Sequence, residues 1–178
     1  EDDFMNLAIF VDANCVVGDR QLIDDLKEFV YSKVDRSAVF FTTFASFALL
    51  FATPLGIFND FIVEKKDKQN ELDLKKGGIF PIVHGIRALS LEYHIKENNT
   101  VDRIKELNNQ GIIDKESASE YIEAFNFLLT LRLKTRLTKL DMGIAPNNCI
   151  DPNELSTMDK DMLKDTLKIV NKFKKFLT

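Results

Sequence analysis

The sequence predicts an all-α fold: an antiparallel helical bundle with a small β-hairpin insertion and a short N-terminal strand. Three observations carry that expectation. Apolar residues recur at three- and four-residue spacings over most of the chain. Residues that start and stop helices, among them Asp19, Asp114, Gly111 and Gly143, punctuate those periods. The joints between periods are short, which makes successive helices antiparallel neighbours.

In chain order, residues 7–11 (LAIFV) form an apolar run that suits a short buried strand ending at Asp12. Asp19 then stands before a helix reaching Val34, with Leu22, Leu26, Phe29 and Val30 on one face. The next helix, residues 36–53, is apolar almost all round and is expected at the centre of the bundle. Pro54 and Gly56 end it too early for a membrane span.

Residues 58–63 and 72–74 are short and β-compatible and flank a polar tip, which predicts the hairpin. Gly77 and Gly78 then release the chain into a third helix with Pro81 in its first turn, ending near Asn98. A short helix follows from Thr100 to Asn109, closed by Gly111. Asp114 caps a long helix that Gly143 stops, and Ser156 or Thr157 caps the last one, which runs to Phe176.

With 178 residues, 45% of them apolar, the chain can bury the core of one domain. A net charge of −4 excludes a general nucleic-acid surface, which needs a basic stripe. Cys15 and Cys149 stand in neither zinc nor redox spacing, which points to a reduced, cytoplasmic setting. The opening Glu1 suggests a piece of a longer protein.

Three arginines fall where apolar side chains are expected. Arg87 shares a stripe with Phe80, Val83 and Leu91; Arg132 and Arg136 follow Tyr121, Phe125 and Leu128. A guanidinium facing a core needs a partner, because an isolated buried charge costs several kcal/mol or more. An internal carboxylate could supply it, Asp73 for Arg87 and Glu123 or Glu92 for Arg132. An anionic ligand held by Lys75, Arg87, Arg132 and Arg136 could equally supply it, since arginine forks suit phosphates and carboxylates. His84 lies one position off the stripe, and a lone helical histidine is more often packed than ligating. A structural role suits Arg87, and an open, ligand-facing role suits Arg132, which has Lys134 and Arg136 close by. No nucleophile elbow, phosphate loop or metal-ligand spacing is present, so the chain by itself is not expected to be catalytic or to bind a metal.

The segments TPLGIFNDF, LDLKKGGIFPIVHGIRALSL, TVDRIKEL, EAFNFLLTLRLKTRL and NNCIDPNELSTMDKDMLKDTLKIV, in that order, resemble the bacterial nucleotidyltransferase substrate-binding domain. That family is the helical partner of a catalytic domain related to PII-protein uridylyltransferase. The resemblance implies residues 1–18 as the end of an upstream nucleotidyltransferase domain and residues 19–178 as the substrate-binding bundle. Where the family shows Asp-x-Arg, this chain has Asp12, Ala13 and Asn14. Asp73, Leu74, Lys75, Gly78, Pro81, Arg87, Arg132 and Asn148 match recurring family positions; Arg136 stands where the family often has glutamine.

The resemblance further implies a signalling parent protein with cyclic-nucleotide-binding and CBS domains. Magnesium and a nucleoside triphosphate would belong to its catalytic domain, with no cofactor in this piece. The partners so implied are that upstream domain, a nucleotide or protein substrate, or a second copy of the chain. The alternative role is a structural module that docks the catalytic domain or dimerises.

Overall fold

The computed structural model describes residues 2–34, 38–66 and 69–178. Helices α1 (Asp2–Val11), α2 (Arg20–Lys33) and α3 (Ala38–Ser46) lead to a small antiparallel sheet of β1 (Glu64–Lys66) and β2 (Gln69–Asp73). Helices α4 (Phe80–Glu92), α5 (Thr100–Asn109) and α6 (Lys115–Asp141) follow, then β3 (Cys149–Ile150) and α7 (Thr157–Phe176). This is the all-α bundle with a hairpin that the periodicity predicts.

The N-terminal strand does not form. Residues 7–11 belong to α1, and Ala8 and Val11, three apart, face the protein as one helical turn requires. An apolar run of five carries too little period to separate strand from helix, and no neighbouring strand offers it a ladder. The hairpin forms with its first strand later than expected, pairing Glu64 with Glu71. Residues 58–63 contribute only a single bridge, Phe61 with Leu55. β3, a strand the sequence did not announce, completes the sheet by pairing Leu72 with Ile150 and Asp73 with Cys149.

The central helix is α4 rather than α3. It buries Ile82 and Ile86 against α5, α6 and α7, and Ala88 and Leu91 against α1, α2 and α3. Two cores therefore share one helix: a large one with Leu107, Tyr121, Leu128, Leu167 and Phe173, and a small one with Val11, Tyr31, Phe41 and Phe44. α3 ends at Ser46, passes into a 3-10 turn (Phe47–Leu49) and leaves Val39 and Leu50 exposed. The expected start of α3 at Arg36 lies outside the described residues. On α2 the buried residues are Lys27 and Tyr31, whereas Leu22, Leu26 and Phe29 face solvent.

The entry to α4 is a wider π turn, Lys75–Ile79, continuous with the helix. Proline cannot donate to the carbonyl four residues back and its ring crowds that turn, so a widened turn suits Pro81. Gly77 and Gly78 are buried inside this turn rather than free ahead of it. A Cβ on Gly77 would lie 2.4 Å from the Pro54 ring, and one on Gly78 would lie 2.9 Å from Leu128. The other end of α4 stops at Glu92, not near Asn98. His94 turns left-handed (φ +55°), and the Ile95 N–H donates to the Ser90 carbonyl at 2.8 Å. The later helices obey their caps: Asn99, Asp114 and Ser156 each accept a hydrogen bond from a first-turn N–H.

Candidate functional site

Arg87 is held inside the protein, by Asp12 and not by Asp73. Its Nε donates to Asp12 Oδ2 at 3.1 Å, and its terminal nitrogen closes a second contact to the same oxygen. Arg103 of α5, 1% exposed, takes the other oxygen: Nη1 donates to Asp12 Oδ1 at 2.7 Å. Arg103 also donates from Nε to the Glu97 carbonyl at 2.6 Å and from Nη2 to the Val11 carbonyl at 3.4 Å. Burial acts to raise the Asp12 carboxyl, but the hydrogen bonds and charges of the two arginines outweigh it and hold the group below its usual range. Asp73 is used locally, its Oδ1 accepting from the Lys76 N–H at 2.9 Å where the π turn begins.

His84 is 1% exposed and packed among rings, stacked on Phe80 with centroids 5.5 Å apart and close to Phe44 and Phe47. Its Nε2 lies 2.9 Å from the Phe44 carbonyl, which fixes that nitrogen as the donor. Nδ1 is then the acceptor, 3.5 Å from Arg87 Nη1. Burial pushes its pKa down, so the ring is neutral at ordinary pH. His84 and Arg87 thus brace α3 and α1 against α4, away from Arg132.

Arg132 has a different setting. α6 places it beside the chain entering β3, where its Nε donates to Asn148 Oδ1 at 2.8 Å. Neither Glu123 nor Glu92 reaches it: Glu123 accepts from Ser119 Oγ, and Glu92 lines a cleft between α3, α4 and α7. The Asn148 carbonyl accepts from the Leu74 N–H at 3.0 Å, which ties Arg132 to the residue before Lys75. The terminal nitrogens of Arg132 have no partner among the described residues. The same holds for the side chains of Arg136, half-buried one turn further along α6, and of Lys75, which is exposed. Lys134 has only Asp159 at 3.7 Å, and Lys139 donates to neutral oxygens, Asn147 Oδ1 and the Cys149 carbonyl. This corner combines an oriented guanidinium with the free cationic side chains of Arg136 and Lys75, beside Asp73 and Asp159, and the guanidinium fork suits an oxyanion.

Of the residues the sequence singled out, Lys75, Arg132, Arg136 and Asn148 therefore share one end of the bundle, with Asp73 shaping the turn beside them. Gly78 and Pro81 shape the entry to α4, and His84 and Arg87 stand in the internal clamp. Sequence reasoning missed Asp12, Arg103 and Lys27. Arg103 carried the same signal as Arg87, since it lies four residues before Leu107 on the buried face of α5. Lys27, 8% exposed, donates to Asn98 Oδ1 at 2.8 Å, and burial and then Arg103 push its pKa down. Among the described residues no three His, Cys, Asp or Glu side chains gather as a metal site.

A family model described as "Putative nucleotidyltransferase substrate binding domain" matches residues 38–178, most of the chain. The chain belongs to that family. The match takes in α3 through α7 and the sheet, and with them Lys75, Arg132, Arg136 and Asn148; α1, α2 and Asp12 lie before it. Searches of curated proteins and of solved structures found no match. As a nucleotidyltransferase substrate-binding domain, the chain implies a nucleotidyltransferase domain and a substrate as its partners. No helix among the described residues is long and apolar enough to cross a membrane.

Proposed function

We propose that this domain presents an anionic substrate to a nucleotidyltransferase domain related to PII-protein uridylyltransferase, and does not itself catalyse transfer. The observation that carries the reading is Arg132: its Nε is fixed on Asn148 while its terminal nitrogens are free among the described residues. Lys75 and Arg136 add charge at the same end of the bundle, and the fork geometry suits a phosphate or carboxylate of the substrate. Residues 1–18 are read as the end of the upstream catalytic domain, in which case Asp12 ties that domain to the bundle. Magnesium and the nucleoside triphosphate would bind in the catalytic domain. The parent would be a cytoplasmic bacterial signalling protein with CBS and cyclic-nucleotide-binding domains, as the family resemblance suggests.

Titration calorimetry with inorganic phosphate tests the site. Arg132→Ala is expected to weaken binding by about tenfold or more, a loss of about 1.4 kcal/mol, and to leave the thermal midpoint close to wild type. Unchanged binding, or a large fall in the midpoint, would refute the assignment.

A second reading has one observation in its favour. Leu22, Leu26 and Phe29 on α2 are 71%, 48% and 58% exposed, an apolar face suited to docking the catalytic domain or a second copy. Sedimentation of wild type against Leu22→Ser/Phe29→Ser distinguishes these occupants: a dimer lost in the variant indicates the second copy.

A further inference from the structure

Helix α6 is apolar on two opposite faces. Tyr121, Ala124, Leu128 and Leu131 enter the core. On the far side Leu129, Leu133, Leu137 and Leu140 are 36%, 59%, 52% and 55% exposed. Their spacing of four, four and three residues lines them up over about 16 Å of helix at 1.5 Å per residue. That is long enough for a partner helix, whose anchors at i, i+3 or i+4, and i+7 span about 10.5 Å. A surface helix normally keeps such a face polar, so a second apolar stripe implies a second contact.

The charges beside the stripe say what covers it. Between residues 129 and 141 the chain carries Arg132, Lys134, Arg136 and Lys139 and one acid, Asp141 at the end of the helix, although the whole chain has a net charge of −4. Lys139 is held by neutral oxygens, and Lys134 reaches only Asp159, at 3.7 Å. We propose that this outward face of α6 docks an acidic amphipathic helix of a partner protein, leucine-type side chains meeting the stripe and carboxylates meeting the flanking cations.

A second copy fits less well. Antiparallel pairing of two α6 helices across this stripe sets Arg132, Lys134 and Arg136 against their own copies, and like charges at that range repel. An anionic bilayer also fits less well, because the stripe has no Trp, Tyr or Phe, and the molecule around it is acidic. The inference stands apart from the anion site, since the leucines point away from the core and Arg132 is needed only for its charge.

Fluorescence anisotropy with three labelled helical peptides of about 20 residues tests it. All carry leucine at three- and four-residue spacing; the remaining positions are Glu-rich, Gln-rich or Lys-rich. The Glu-rich peptide is expected to bind the full chain at least about tenfold more tightly than the Gln-rich one, and the Lys-rich peptide not to bind. Leu133→Ser/Leu137→Ser is expected to weaken the Glu-rich peptide by about tenfold or more, with thermal midpoint and inorganic phosphate binding unchanged. Equal binding of the three peptides, or no effect of the double variant, overturns the proposal. So does a dimer that depends on Leu133. So does leucine-dependent pelleting with vesicles of roughly one-third anionic phospholipid in the absence of peptide binding.

Discussion

Replacing Asp12 with asparagine keeps the shape of the side chain and removes its charge. Arg103 and Arg87 then lose their carboxylate together, and their side chains are 1% and 13% exposed. Removing one partner of a buried pair costs about 3–5 kcal/mol, most of it the desolvated charge left behind. Two features reduce that figure. Asp12 is 34% exposed, so water can enter the vacated position, and Arg103 keeps its bonds to the Glu97 and Val11 carbonyls. A loss of about 2–4 kcal/mol is therefore expected. For a chain of this size each kcal/mol lowers the thermal midpoint by about 2–4 °C, so a fall of roughly 4–16 °C should appear in a calorimetric or circular-dichroism melt.

Denaturant titration of the double variant Asp12→Leu/Arg103→Met completes the test, because it removes the charge pair and leaves Arg87 beside neutral neighbours. Apolar replacement of both partners is expected to cost less than the two single changes added together, as it does when a buried ion pair gives way to packed side chains. An Asp12→Asn protein within about 0.5 kcal/mol of wild type would refute the reasoning, since it would mean that neither guanidinium depends on the carboxylate.

His84 predicts a pH dependence. Its folded pKa lies below the ordinary value of about 6.5, so on acidification the unfolded chain takes up the proton before the folded one. Its contribution is complete above about pH 6.5 and is lost as the pH falls through the folded value. Urea midpoints between pH 7.5 and pH 5 should fall for wild type and fall less for His84→Gln; parallel curves would rule the histidine out. Asp12 acts only lower on the scale: its pKa is depressed, so its stabilisation is present above about 3.8 and is lost below it. Gly85→Ala places a methyl group 2.5 Å from Leu177 Cδ1 and 2.6 Å from Phe173 Cε1, and Phe173 is fully buried. A loss of about 1–3 kcal/mol is expected from that overpacking, and an unchanged thermal midpoint would show that the end of α7 moves aside freely.

The parts of this fold legible in the sequence are those set by neighbours along the chain. Asp114 and Gly143 bound α6, and Ser156 starts α7, because a cap acts through hydrogen bonds within a few residues. Residues 7–11 misled because a short apolar run shows no period, and only the packing of Ala8 and Val11 decides that it is helical. β3 was illegible for a related reason: two residues form a strand only because β2 arrives beside them. Partner identity lies further still from the sequence. Asp12 and Arg87 are 75 positions apart and Asp12 and Arg103 are 91 apart, separations at which spacing carries no information.

The three inward-set arginines show how far one local rule reaches. Arg87, Arg103 and Arg132 each interrupt an apolar stripe, and the cost of burying charge requires a partner for each. That requirement follows from sequence alone, but the kind of partner does not. Two of the three converge on one carboxylate, which joins the segment before the matched family region to the bundle within it. Among the described residues the third finds only an amide oxygen, which orients a guanidinium without neutralising it. An arginine so held, with Arg136 one turn away and no acid between residues 129 and 140, keeps its own charge, although Asp73 and Asp159 stand on neighbouring elements. What distinguishes Arg87 and Arg103 from Arg132 is therefore the charge of the atom they reach, and that is decided by which elements the fold brings together.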